Sequence, residues 1–154
     1  MTRPTFRNVT ITLMIGIVAS LAVTIPADAR QIRWYDYDEG TSLGKKQGKK
    51  VLLFFWADWC ASCEKMKKET FRVPDVIAFL NKNFIPVKVD SENEKRLASR
   101  YFVRGLPTTW FLNERGERIG SRPGFMAPDL FLSILKYMHT NSYREMSFSE
   151  FAEK

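Results

Sequence analysis

Trp59-Cys60-Ala61-Ser62-Cys63 is the stretch whose residue types and spacing carry chemistry. Its two cysteines are the whole thiol content of a 154-residue chain. A Cys-x-x-Cys that follows an apolar run and opens a helical stretch puts its first sulfur over the free N–H groups of the helix start. Those dipoles favour a thiolate. The second sulfur falls one helical turn further in, within bonding reach of the first. Cys60 is therefore the expected nucleophile towards a substrate disulfide, and Cys63 the thiol that resolves the mixed disulfide. Two plainer readings stand beside this one. A structural disulfide is the first, although so small a ring constrains the unfolded chain little. Half a zinc site is the second, although it needs a further Cys or His pair and the chain has one histidine, His139. His139 closes the last helical stretch, has no partners for a triad, and reads as non-catalytic.

The elements that must position the pair alternate between strand and helix signals. Residues 51–56 are apolar on both faces, which predicts a central strand covered by helices on either side. Ahead of it, residues 32–37 predict a short edge strand and residues 38–48 a weak helix interrupted by glycines. Lys45, Lys46, Lys49 and Lys50 then predict a solvated turn. After the cysteines a helix runs to about Thr70. Pro74 opens another with Val76, Phe79 and Leu80 inward. Residues 85–90 predict a strand, and Ser91-Glu92-Asn93-Glu94 a capping sequence for a helix through Tyr101. Residues 108–112 and 118–121 predict a hairpin around Asn113-Glu114-Arg115-Gly116, and residues 127–139 the last long helix. This order specifies an α/β chain, a central mixed sheet with helices on both faces.

The N-terminus is set aside from that fold. Arg3 and Arg7 precede an apolar run from Val9 to Ile25, and Ala27-Asp28-Ala29 has the small-x-small pattern of a cleavage site. Residues 1–29 are expected to be a secretory signal peptide, with an uncleaved membrane anchor as the alternative. The mature chain then works beyond the cytoplasm, in an oxidising compartment. Residues 30–140 form the expected domain. Residues 141–154 form a tail in which Ser147 is placed to cap a short helix folding back on it. A net charge of +7 without a basic stripe interleaved with aromatics argues against a nucleic-acid binder. Trp34, Tyr35 and Tyr37 read as packing residues.

Phe55-Trp56-Ala57-Asp58-Trp59-Cys60-Ala61-Ser62-Cys63, with Gly105-Leu106-Pro107-Thr108 downstream, resembles the thioredoxin superfamily. Together with Thr70-Phe71, these residues look most like the periplasmic C-terminal domain of the transmembrane thiol:disulfide interchange reductases and like small secreted relatives of it. The likeness spans roughly residues 45–138. It implies a thioredoxin fold with Pro107 as a cis-proline facing the cysteines. It also implies that Leu106 offers its backbone to an extended substrate segment and that Trp59 shields the pair. No organic cofactor and no metal are implied, because the dithiol carries the two electrons. Protein disulfide or dithiol clients and a monomeric state are expected. A reductant outside the cytoplasm needs resupply, and with no spare cysteines in the chain a transmembrane dithiol donor is implied.

Two positions depart from the family. Its buried acidic residue near the strand end falls on Phe54, and a glutamate of the reductase domains is replaced at Lys67, one turn beyond Cys63. A lost carboxylate and a gained ammonium both favour the Cys60 thiolate. The Ala61-Ser62 dipeptide lacks the histidine of strongly oxidising members. The expectation is a secreted thiol:disulfide oxidoreductase that reduces substrate disulfides. A disulfide oxidase or isomerase, or a non-redox binding module on the same fold, are the alternatives. A copper chaperone would normally place a histidine near the thiols.

Overall fold

The computed structural model describes residues 30–153. The expected signal segment, residues 1–29, lies outside them. Helix α1 (Tyr37–Gln47) leads into strand β1 (Lys50–Trp56), and helices α2 (Ala61–Glu69) and α3 (Pro74–Asn83) follow. Next come β2 (Phe84–Asp90), α4 (Lys95–Arg100), β3 (Thr108–Leu112), β4 (Arg118–Pro123) and α5 (Pro128–His139). The sheet order is β2-β1-β3-β4, with β2 parallel to β1, and β3 and β4 antiparallel to their neighbours. β1 is a central strand, which is why Val51 to Phe55 are buried without alternation.

Successive β1 residues feed two cores. Leu52 and Phe54 join Cys63 and Met66 of α2, Val76 and Leu80 of α3, and Phe131 and Leu135 of α5 on one face. Val51, Leu53 and Phe55 join Leu43 of α1 and Ala98 of α4 on the other. Helices thus cover both faces of a mixed sheet, as its residue pattern predicted. Among the described residues no helix is long and apolar enough to cross a membrane.

Several local expectations are corrected. Residues 32–37 do not form a strand. Only Tyr35 bridges to Val87, exchanging hydrogen bonds with Pro86 and Lys88, before the chain turns at Asp36 to enter α1. The glycines of α1 are contact points with the sheet: a Cβ on Gly40 would lie 2.2 Å from Val87 Cγ2, and one on Gly44 2.5 Å from Val51 Cγ2. Ser91 does not cap α4, and its hydroxyl has no hydrogen-bond partner among the described residues. The Asp90 carboxylate organises that turn instead, accepting from the backbone N–H groups of Glu92 and Asn93 at 2.9 and 3.3 Å. Lys50 is not part of a solvated turn. It is 4% exposed and donates to Glu114 at 2.6 Å across the sheet. Phe79 is half-buried and packs against the core as expected, and Ile77 of α3 is buried beside it in the same cluster.

Beyond α5 a single 3-10 turn (Ser142–Arg144) and a short helix α6 (Phe148–Ala152) fold back on the domain. Ser147 and Glu150 form a reciprocal capping box at the start of α6. Tyr137 of α5 meets the rings of Phe148 and Phe151 at 5.5 and 5.3 Å, and its hydroxyl donates to the Met146 carbonyl.

Candidate active site

The site forms where β1 ends and α2 begins. Beyond Trp56 the chain turns at the buried Ala57, and the Cys60 N–H closes the turn on the Ala57 carbonyl at 3.2 Å. Cys60 is the N-cap of α2 in extended backbone, and its carbonyl accepts from the N–H groups of Cys63 and Glu64 at 3.0 and 3.1 Å. Its sulfur occupies the place a capping oxygen normally takes, accepting from the Cys63 N–H at 3.1 Å. Cys60 and Cys63 are joined by a disulfide, with their Cα atoms 5.2 Å apart. Cys60 is 5% exposed and Cys63 fully buried. The helix dipole and the Cys63 N–H both bear on the Cys60 sulfur, an arrangement that stabilises negative charge there.

Strand register brings two further loops to the same end. Phe55 pairs with Thr108, so Leu106 and Pro107 stand beside the end of β1 that feeds the cysteine turn. The Leu106–Pro107 peptide is cis. The Pro107 carbonyl accepts from the Gly124 N–H at 2.7 Å, and Thr108 donates back to the Gly105 carbonyl, tying this loop to the end of β4. Leu106 is half-buried against the core cluster that contains both cysteines. Trp56 pairs in parallel with Asp90, so the loop after β2 rises on the other side. There Glu92 accepts from the Trp59 indole N–H at 2.8 Å, while the ring is 68% exposed. Trp59 is therefore oriented but open to solvent. Glu92 was invisible as a site residue because 33 positions separate it from its partner.

Phe54 is fully buried under the site, in an edge-on contact with Phe71 at 4.9 Å and a tilted one with Trp34 at 5.9 Å. The preceding residue of Phe71, Thr70, donates to the Met126 carbonyl at 2.6 Å and fastens the end of α2 to the start of α5. Lys67 pairs with Glu64 at 2.6 Å and lies 3.6 Å over the Trp56 ring. The hydrogen bond from Lys67 holds the Glu64 carboxyl below its ordinary value. His139 is removed from this site and packs its ring against Phe79 and Phe84. Among the described residues no group of three or more His, Cys, Asp or Glu side chains is placed to hold a metal ion.

A disulfide whose first sulfur caps the helix after the central strand, beside a cis-proline loop, places the fold and site in the thioredoxin-like class. The chain belongs to the thioredoxin-like domain family, which matches residues 37–139. It is 34% identical over 115 residues to the thiol:disulfide interchange protein DsbD of Photorhabdus laumondii, covering 71% of this chain and 20% of that protein. To the DsbD of Vibrio cholerae it is 38% identical over 97 residues, 59% of this chain and 16% of the relative. The chain thus spans about a fifth or less of the length of these relatives. Among solved structures, a thioredoxin from Thermus thermophilus superposes with a TM-score of 0.65 at 29% identity, covering 70% of this chain and 87% of that one. The oxidised C-terminal domain of Neisseria meningitidis DsbD shares the fold, with a TM-score of 0.53 at 23% identity over 68% of this chain and 97% of the domain.

Proposed function

We propose that this chain reduces disulfides of protein clients beyond the cytoplasm, with Cys60 as nucleophile and Cys63 as resolving thiol. The observation that carries the reading is the placement of the Cys60 sulfur at the N-cap of α2, bonded to the Cys63 N–H. In the reduced protein the Cys60 thiolate attacks one sulfur of a client disulfide, and the other leaves as a thiolate. Cys63 then attacks Cys60 in the mixed disulfide, closes the intramolecular disulfide and releases the client as a dithiol. Leu106 and Pro107 flank the pair and offer backbone to an extended client segment, and Trp59 covers one side of the groove.

Phe54 and Lys67 tune the pair. Phe54 puts an aromatic ring where a carboxylate would repel the thiolate, and Lys67 adds positive potential from the same helix, moderated by Glu64. Residues 1–29 act as the export signal, residues 30–140 as the redox domain and residues 141–154 as a tail that buttresses α5. Regeneration requires a dithiol donor, and a membrane-embedded one fits a chain that works outside the cytoplasm. The DsbD relatives support thiol:disulfide interchange as the chemistry.

Insulin reduction by dithiothreitol, followed as turbidity, tests this activity. The parent chain should accelerate it, and Cys60→Ala should abolish the acceleration. Equal rates with and without the cysteines would turn the protein into a binding module on a redox fold. Client trapping with Cys63→Ala in the native host should then yield mixed disulfides through Cys60.

A further inference from the structure

Behind the cysteine turn, the segment before α1 leaves a cleft of about 580 Å3 against β1, β2 and α2. That volume is within the usual range of small-molecule sites. Arg30, Lys67, Arg72 and Lys88 line it, and among the described residues no carboxylate does. The wall is aromatic: Trp34 and Phe71 meet edge-on at 5.2 Å, and the buried Phe54 lies beneath them.

Lys67 and Lys88 stand over one indole, 3.6 and 4.0 Å from the centre of the Trp56 ring. The ring holds both ammonium groups at the cleft instead of letting them extend into water. Glu64 neutralises Lys67 at 2.6 Å. The Lys88 ammonium has no hydrogen-bond acceptor and no ion-pair partner among the described residues. Its burial, and next the Lys67 charge, hold it below the ordinary lysine range, while Glu64, Asp58 and Asp90 act in the opposite sense. A partly desolvated ammonium beside a second cation calls for an anion.

We propose that this cleft binds a small amphipathic carboxylate, its planar apolar body against Trp34 and Phe71 and its charge taken up by Lys88 and the neighbouring cations. A bare inorganic anion would leave the aromatic wall unused, and a neutral aromatic would leave Lys88 unpaired. The concave shape and volume suit a molecule of about ten to twenty heavy atoms. This site uses neither sulfur, so it stands independently of the redox reading.

The probe is naphthoate, titrated into the full chain with the indole N–H resonances as readout. The Trp34 signal should move and saturate, with Trp110, on the opposite core, unmoved. Naphthalenemethanol and inorganic phosphate should each bind at least about tenfold more weakly, since each lacks one half of the recognition. Lys88→Gln and Arg72→Gln should each weaken naphthoate, the first by about tenfold. Arg72 is an exposed residue, so its variant keeps the test valid if Lys88→Gln disturbs folding. A linear, non-saturating shift, an alcohol or phosphate that binds as well as naphthoate, or two folded variants that bind like the parent would overturn the proposal.

Discussion

Cys60 caps α2 and Cys63 lies one turn inside it, so the helix start acts on the first sulfur and the protein interior encloses the second. In the reduced protein Cys60 should be alkylated first near neutral pH, with a pKa below the free value of about 8.5. Peptide mapping after brief iodoacetamide treatment checks this, and prior labelling of Cys63 would reverse the assigned roles. Phe54 is the second residue whose identity matters. Replacing it with Asp should raise the Cys60 pKa by about one unit or more, because a buried carboxylate opposes a nearby thiolate. The change also removes an edge-on ring contact with Phe71 and should cost about 3–5 kcal/mol of stability. Phe54→Leu, lacking the charge, should leave the thiolate titration near that of the parent. Equal ultraviolet thiolate titrations in the Asp and Leu variants would remove Phe54 from the site. The cysteine motif was legible because its meaning is local. Trp59's partner Glu92 was not, since the loop that brings it belongs to a different strand.

Helix α1 shows how an element can read weakly and still form. Gly40 and Gly44 lower its intrinsic helicity, yet they let it lie on the β1–β2 surface at a distance no side chain allows. Gly40→Ala should therefore destabilise by about 1–3 kcal/mol through the contact with Val87, against about 1 kcal/mol of gained propensity. Urea unfolding measures the balance, and an unchanged midpoint would mean that the helix shifts freely. The Lys50–Glu114 pair links the start of β1 to the β3–β4 turn. Burial acts to raise the Glu114 carboxyl, but the hydrogen bond from Lys50, a backbone hydrogen bond and the Lys50 and Arg144 charges together leave it below its ordinary value. A carboxylate with a folded pKa below its unfolded one stabilises the fold above the unfolded pKa, and that contribution fades as pH falls through the folded value. Glu114→Ala should cost about 1–3 kcal/mol at neutral pH by leaving the buried ammonium without an acceptor. The gap from the parent should narrow below about pH 4 in denaturant titrations across pH. A gap that stays constant with pH would show that packing, not charge, holds this turn.

At the scale of the whole molecule, the reduction potential reports the direction of electron flow. Stabilising the thiolate favours the reduced form and makes the disulfide more oxidising. Ala61 and Ser62 place no histidine between the cysteines, while Phe54 and, less strongly because Glu64 pairs with it, Lys67 are proposed to favour the thiolate. The potential should therefore lie on the less reducing side of thioredoxin's, at about −200 to −270 mV. Equilibration against glutathione, with alkylated and disulfide forms separated, gives the value. A result above about −150 mV would assign an oxidase, and the proposed membrane donor would become an acceptor.

The order of the elements from α1 to α5, the central place of β1 and the one-turn spacing of Cys60 and Cys63 were determined by the sequence itself. Each rests on short-range information: an unbroken apolar run, a turn of helix, two sulfurs one turn apart. Tertiary structure decided what long-range register brings together. It placed Leu106 and Pro107 beside the cysteine turn, gave Trp59 its Glu92 partner and demoted residues 32–37 from a strand to one bridge. It also buried Lys50 from a turn that composition read as solvated, and set Lys67 and Lys88 over one indole from separate elements. None of these pairs shares a helix face or a short turn. They meet only because the sheet closes in one order, which no local pattern of side chains encodes.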